Sequence, residues 1–230
     1  MCGRFTLRSP ASVIAEEFAV FELPELHARF NIAPTQLVAV VRQTQVRTIS
    51  MLRWGLVPSW AKDMAIGNSL TNARAETVAS KPAFRSAFRR RRCLIPTDGF
   101  YEWKRDISPK QPYYIHRRDD LPFAMAGLWE CWDGGDGPLE TCTIITTEAN
   151  ELMRPIHDRM PVILAANDYS AWLAPGQEGG ESLQGLLRPC AEDVLEAYTI
   201  STRVNSARNQ GPELIERSDP PRSRERSLFD

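Results

Sequence analysis

Six runs of six to nine residues, QLVAVV, VRTISMLRW, PYYIHRR, PFAMAGLW, TCTIITT and MPVILA, are rich in β-branched and aromatic side chains and are separated by turn-forming residues. Such runs suit a pleated, half-buried surface, and their spacing along the chain predicts a mainly antiparallel sheet system. Asp119-Asp120 supplies one turn and the GGDG at 134–137 another. Helices are expected in three places. Ser9-Pro10 has the form of an N-cap followed by proline in the first turn, and Ile14, Phe18 and Phe21 then recur at helical spacing. A second helix is expected from Asn167-Asp168 to Pro175-Gly176, and a third over roughly 191–196. There are no internal repeats. The end, RSDPPRSRERSLFD, is polar, charged and proline-containing, so residues 1–216 are expected to form one domain and 217–230 a disordered tail.

With 230 residues and 43% hydrophobic content, the chain can bury a sizeable core. Its net charge of −1 gives no overall pull on a polyanion. Yet 24 of the 28 basic residues are arginine, the side chain that grips phosphate in a planar fork. A coding bias towards arginine accounts for the same count. The run Arg89-Arg90-Arg91-Arg92 is either a ligand-facing cluster or a solvated face, and strand register decides which. Cys2, Cys93, Cys131, Cys142 and Cys190 are odd in number and form no CxxC pair, which argues against both a disulfide framework and a zinc site. A reducing, cytoplasmic compartment is therefore expected, nucleoid-associated if the host is bacterial. No apolar run approaches membrane-spanning length, and Arg4 and Arg8 are followed by no signal-type apolar region.

The chain begins MCGRF. If Met1 is removed, Cys2 carries a thiol with a reference pKa of about 8.5 and an α-amine of about 7.7–8.0 on adjacent carbons. No internal residue can do that, although most termini are frayed and chemically idle. Four further stretches place polar residues in structured context: NIAPT with Asn31 and Pro34, TNARAE with Asn72, Arg74 and Glu76, DGFYEWK with Glu102, and PIHDRMP with His157 and Arg159. Taken singly, a glutamate between Tyr101 and Trp103 is the ordinary outward residue of an alternating strand. A lone histidine is ordinarily a hydrogen-bonded structural residue.

Together these pieces resemble the SRAP family, the SOS response-associated peptidases that crosslink to abasic sites in single-stranded DNA. The matching segments, in order, are MCGRF, NIAP, RWGLVPSW, NARAET, LIPTDGFYEWK, QPYYI, AGLWE, TIITTEAN, IHDRMPVIL and VNSARNQGPELI. The resemblance implies one compact α+β domain, with mainly antiparallel sheets curled into a barrel-like core, flanking short helices and a positively charged groove for single-stranded DNA. It implies that Cys2 condenses with the aldehyde of a ring-opened abasic site to give a thiazolidine. Asn72, Glu102 and His157 are the implied catalytic partners: Glu102 carries a proton at the α-amine, His157 is the acid that opens the sugar ring, and Asn72 orients Cys2 and the sugar. Arg4, Arg74 and Arg159 match positions that hold DNA phosphates. Asn31, Pro34, Trp60, Trp103 and Thr146 line the same groove by resemblance, Trp60 and Pro34 being suited to stacking or wedging. A monomer without metal or cofactor is expected, with abasic single-stranded DNA as partner and no membrane. The chain departs from the pattern at Ala61, where some relatives carry a second tryptophan, and in its arginine-rich tail. Two other readings stay open: a thiol peptidase or N-terminal-nucleophile amidohydrolase using Cys2, and a non-covalent single-stranded DNA-binding module indifferent to Cys2.

Overall fold

A computed structural model describes residues 2–104, 110–135, 137–175 and 181–219, and the apolar runs among them pair into two sheets. In chain order the strands are β1 (Phe5–Leu7), β2 (Arg29–Ile32), β3 (Leu37–Gln43), β4 (Arg47–Trp54), β5 (Asn72–Arg74), β6 (Arg92–Thr97) and β7 (Gly99–Lys104). They continue as β8 (Gln111–Arg117), β9 (Phe123–Trp132), β10 (Leu139–Glu148), β11 (Arg159–Pro161), β12 (Ile163–Leu164) and β13 (Leu195–Thr199). Short helices flank them: α1 (Ala11–Phe18), α2 (Arg85–Arg90), α3 (Tyr169–Leu173) and α4 (Glu181–Gly185).

The larger sheet runs β11-β10-β4-β3-β6-β9-β12, and β9 also pairs with β10 from Leu139↔Trp132 to Ile144↔Gly127. That extra pairing closes β10, β4, β3, β6 and β9 into a five-stranded barrel, which leaves the ring no open edge. Nearly all pairings are antiparallel, as expected; the two parallel ones, β10 with β4 and β10 with β5, both fall on the same long strand. The smaller sheet, β13-β8-β7-β1-β2, is wholly antiparallel. The two sheets meet where the Phe5 ring packs edge-on against the buried Trp54 at 5.3 Å, so one continuous core joins barrel and sheet. Gly99 lets β7 lie close on β8: a Cβ there would stand 2.5 Å from the Tyr114 ring.

The helices depart from expectation in instructive ways. α1 buries Ile14 and Phe18, but it stops at Ala19 in the left-handed region (φ 50°), so Phe21 lies beyond it and is 90% exposed. Ser9 does not cap it; its hydroxyl and N–H, with the N–H of Arg8, donate instead to the buried Asp98 carboxylate. The second helix is present as a 3-10 turn, Ala166–Asp168, leading into α3, while Gly176 lies outside the described residues. The expected third helix is a correction: only Glu192–Val194 forms a 3-10 turn, and the chain then becomes β13, because five residues from Leu195 pair with β8 from Arg117 to Tyr113. The turn at Asp119-Asp120 is present, with Asp120 at φ 61°. Of the 134–137 turn, Asp136 lies outside the described residues. Arg217 bridges to Ile200 and the Ser218 N–H donates to Thr199; residues 220–230 lie outside the described residues. No described helix is long and apolar enough to cross a membrane.

The four-arginine run divides by register. Arg89 and Arg90 are exposed on α2, and Arg91 pairs with Glu130 at 2.6 Å. Arg92 is buried and donates to the carbonyls of Trp172 (2.7 Å), Phe88 (2.9 Å), Arg89 (2.6 Å) and Ala174 (2.7 Å). It thereby satisfies the orphan carbonyls at the ends of α2 and α3. Arg92→Ala is expected to destabilise the protein by about 2–4 kcal/mol, since it leaves several buried acceptors without donors. Urea midpoints measure this, and an unchanged midpoint overturns the capping role.

Candidate functional site

Cys2 is fully buried at the end of the chain segment that leads into β1. The Tyr101 N–H donates to the Arg4 carbonyl at 3.0 Å, so the β1–β7 pairing continues past Phe5 towards Cys2. Along β7 successive side chains alternate faces. Tyr101 and Trp103 enter a small apolar cluster with Tyr114, Ile200 and Val204, and Glu102 faces the other way. Glu102 is only 2% exposed, so the ordinary reading of an outward strand glutamate does not hold here. Burial first, and the Glu102 carboxylate second, push the Cys2 thiol well above its usual range, while the amino-terminal charge and then the Arg4 backbone N–H donating to the sulfur pull the other way.

Asn72 opens β5, in register with Ile144 of β10. Its Nδ2 donates to the Cys2 carbonyl at 3.0 Å and to the Thr71 hydroxyl at 3.2 Å. Its Oδ1 is buried and accepts no hydrogen bond among the described residues. Three chain segments thus converge: the amino-terminal residues, β5 and β7.

β11 lies on the edge of β10 opposite β5, and His157 sits just ahead of it, nearly buried. Its Nδ1 lies 2.9 Å from the Arg159 N–H and 2.9 Å from Asp158 Oδ1. A backbone N–H can only donate, so Nδ1 accepts from Arg159 and the proton of the neutral ring rests on Nε2. The Asp158 contact becomes a hydrogen bond only when the ring takes a second proton.

The remaining predicted residues divide into engaged and open groups. The Arg159 guanidinium donates to Glu76 at 2.6 and 3.0 Å and to the Thr146 carbonyl at 2.6 Å. That fork holds the Glu76 carboxyl below its usual range. The Thr146 side chain is fully buried, its hydroxyl directed to the Ala73 carbonyl at 3.4 Å, so it ties β10 to β5. Arg4 and the fully buried Asn31 are spent on backbone carbonyls between Val204 and Asn209, and the Trp103 indole N–H donates to Asn205 Oδ1 at 2.7 Å. Arg74, on the same face of β5 as Asn72, is exposed, and its charge adds to that of Arg159 in holding the Glu76 carboxyl below its usual range. Trp60 is 60% exposed in the loop after β4. Hydrogen bonds from the Thr35 N–H to Trp54 and from the Trp54 N–H to Gln36 tie the Pro34 turn to the start of that loop.

Residue types alone did not bring out Thr71, which accepts from Asn72, or Asp98, which anchors the far end of β1. The buried anchoring acid has a signal in the DG step that opens DGFYEWK. A cleft of about 640 Å³ lined by Glu17, Arg117, Phe123, Tyr169 and Cys190 contains none of the predicted site residues. Among the described residues no group of three or more His, Cys, Asp or Glu side chains is arranged to hold a metal ion.

Comparison with known proteins gives one consistent result. A family model described as SOS response associated peptidase (SRAP) matches residues 1–207. YoqW of Bacillus subtilis, named an abasic site processing protein, is 49% identical over 222 residues, covering 94% of this chain and 99% of its own. HMCES of Xenopus tropicalis, which bears the same description, is 34% identical over 193 residues, covering 74% of this chain and 57% of its own. A crystal structure of a Bacteroides thetaiotaomicron protein superposes with a TM-score of 0.85 at 26% identity, covering 94% of this chain and 100% of that one.

Proposed function

The chain belongs to the SOS response associated peptidase (SRAP) family, and on that premise we propose that it processes abasic sites in single-stranded DNA by forming a thiazolidine between the ring-opened sugar and Cys2. The Met1–Cys2 peptide bond is first hydrolysed, which frees the α-amine. The amine adds to the C1′ aldehyde and water leaves, giving an imine. The neighbouring thiol then adds to the imine carbon, its proton passing to the nitrogen, and a five-membered ring closes. Glu102 takes the proton that the ammonium must lose and returns it on reversal. His157, with its proton on Nε2, supplies the acid for opening the sugar.

The observation that carries this reading is the setting of Cys2. Asn72 Nδ2 fixes its carbonyl, Asn72 Oδ1 is a buried acceptor without a donor among the described residues, and Glu102 is buried beside the thiol. An amine hydrogen or a sugar hydroxyl suits that acceptor. Here burial and a carboxylate favour the protonated thiol, while the amino-terminal charge and the Arg4 N–H pull the other way.

The experiment pairs an intact mass with a denaturing gel. Purified protein is expected to lack Met1 and to shift an oligonucleotide that carries one abasic site, but not its undamaged twin. Equal absence of a shift with both overturns the crosslinking reading.

A further inference from the structure

The segment VNSARNQ, 204–210, opens a matching motif to which the chemistry above gives no task, yet its backbone is held by a dense set of side-chain hydrogen bonds. Asn31, fully buried, donates through Nδ2 to the carbonyls of Val204 (3.2 Å), Ser206 (2.9 Å) and Asn209 (3.1 Å), and its Oδ1 accepts from Arg4 at 2.8 Å. Arg4 adds bonds to the Val204 carbonyl at 2.9 Å and the Asn205 carbonyl at 3.3 Å. Gln210 returns a bond to the Asn31 carbonyl at 2.9 Å, and Asn209 Nδ2 donates to the Arg203 carbonyl at 2.7 Å. The Asn209 N–H donates to the Ser206 carbonyl at 3.1 Å, which closes a tight turn with Ala207 and Arg208 at its apex.

These contacts leave little side-chain capacity for Arg4 or Asn31 to meet a ligand directly. What they produce is a fixed turn that presents Arg208. Its neighbours on the same stretch are neutralised, Arg203 by Glu213 at 3.1 Å and Arg217 by Glu196 at 3.5 Å. Arg208 is exposed and engages no partner among the described residues. The turn is bonded to Arg4, two residues from Cys2, and through Asn205 to Trp103, the neighbour of Glu102.

We propose that the 204–210 segment is a second wall for the DNA strand, that Arg208 holds a backbone phosphate there, and that Arg4 and Asn31 are positioning residues acting through it. The proposal rests on the single-stranded DNA reading given above. Entropy favours it: a guanidinium on a prefixed turn loses less conformational freedom on binding than one on a loose loop. Arg208 then works in company with Arg74, which is exposed at the end of β5, whereas Arg159 must first release Glu76.

The test measures binding of an undamaged single-stranded oligonucleotide by fluorescence anisotropy at several salt concentrations. Arg208→Ala is expected to weaken binding severalfold at low salt and to reduce the salt slope by about 0.7, the value of one phosphate contact on a single strand. Arg208→Lys should retain the slope, because the charge is kept. Asn31→Ala should weaken binding in the wild-type background and add nothing to Arg208→Ala, with thermal melts reporting whether each variant is folded. A wild-type slope in Arg208→Ala overturns the proposal, and a further loss in the double variant overturns the positioning route. Wild-type protein that binds no oligonucleotide at any salt concentration would instead remove the reading on which it rests.

Discussion

Cys2→Ala is expected to abolish the heat-stable adduct with abasic single-stranded DNA down to the background of a denaturing gel. The variant keeps an α-amine once Met1 is gone, so it still forms an imine, but no thiol remains to close the ring and the imine hydrolyses on heating. Cys2→Ser should behave alike, since its hydroxyl is a far weaker nucleophile than sulfur. Borohydride separates the two nucleophiles: reduction should trap a covalent species from both variants, and omission of reductant should leave none. A heat-stable adduct from either variant without reductant would overturn the thiazolidine assignment and place the chemistry on another residue. Because Cys2 packs in the core, thermal melts of the variants accompany the gels, and the borohydride-trapped species shows that the site is still assembled.

Glu102→Gln is expected to slow adduct formation by about 100-fold or more near neutral pH, the usual scale of a positioned proton carrier. The change keeps the shape of a side chain that is 2% exposed but removes its basicity. Below the reference pKa of the α-amine, about 7.7–8.0, most of the amine is protonated and cannot attack. The wild type relieves this through Glu102 and the variant does not. As the pH rises through that range the amine loses its proton unaided, so the variant should recover towards the wild-type rate. Reversal needs the same transfers in the opposite order and should slow as well. Single-turnover rates from about pH 6 to 9, with exchange onto a second abasic oligonucleotide, measure both directions. Wild-type rates in both would leave His157 as the acid–base group.

Particular residues show where a sequence informs and where it stops. The runs that became β3, β4, β8, β9 and β10 were legible because β-branched and aromatic residues cluster there. Closure of the barrel was not, since it depends on β9 and β10 meeting while β4 and β5 run parallel to β10, and no local pattern encodes a parallel neighbour. Glu102 looked outward because alternation has meaning only when one face of a strand is wet. From Gly99 to Glu102 β7 is buried on both faces, between the barrel side and the Tyr101 cluster. The 191–196 stretch has helix-compatible spacing, but pairing with β8 overrode it. The motif resemblance named the candidate residues, and the partners of the arginines among them were not legible: Arg159 meets Glu76 across 83 residues, and Arg4 meets Val204 across 200.

That last separation gives the site a schedule. Ribosomes add roughly 5–20 residues per second, so the 200 residues between Arg4 and Val204 correspond to some 10–40 seconds of synthesis. Throughout that interval the first residues of the chain lack the segment that will pin them, and β7 itself arrives about halfway through. On the proposed route, trimming of the leading methionine would have its freest access then, while Cys2 is still on an unclosed nascent chain, and a chain ending before residue 204 would lack the segment that pins Arg4.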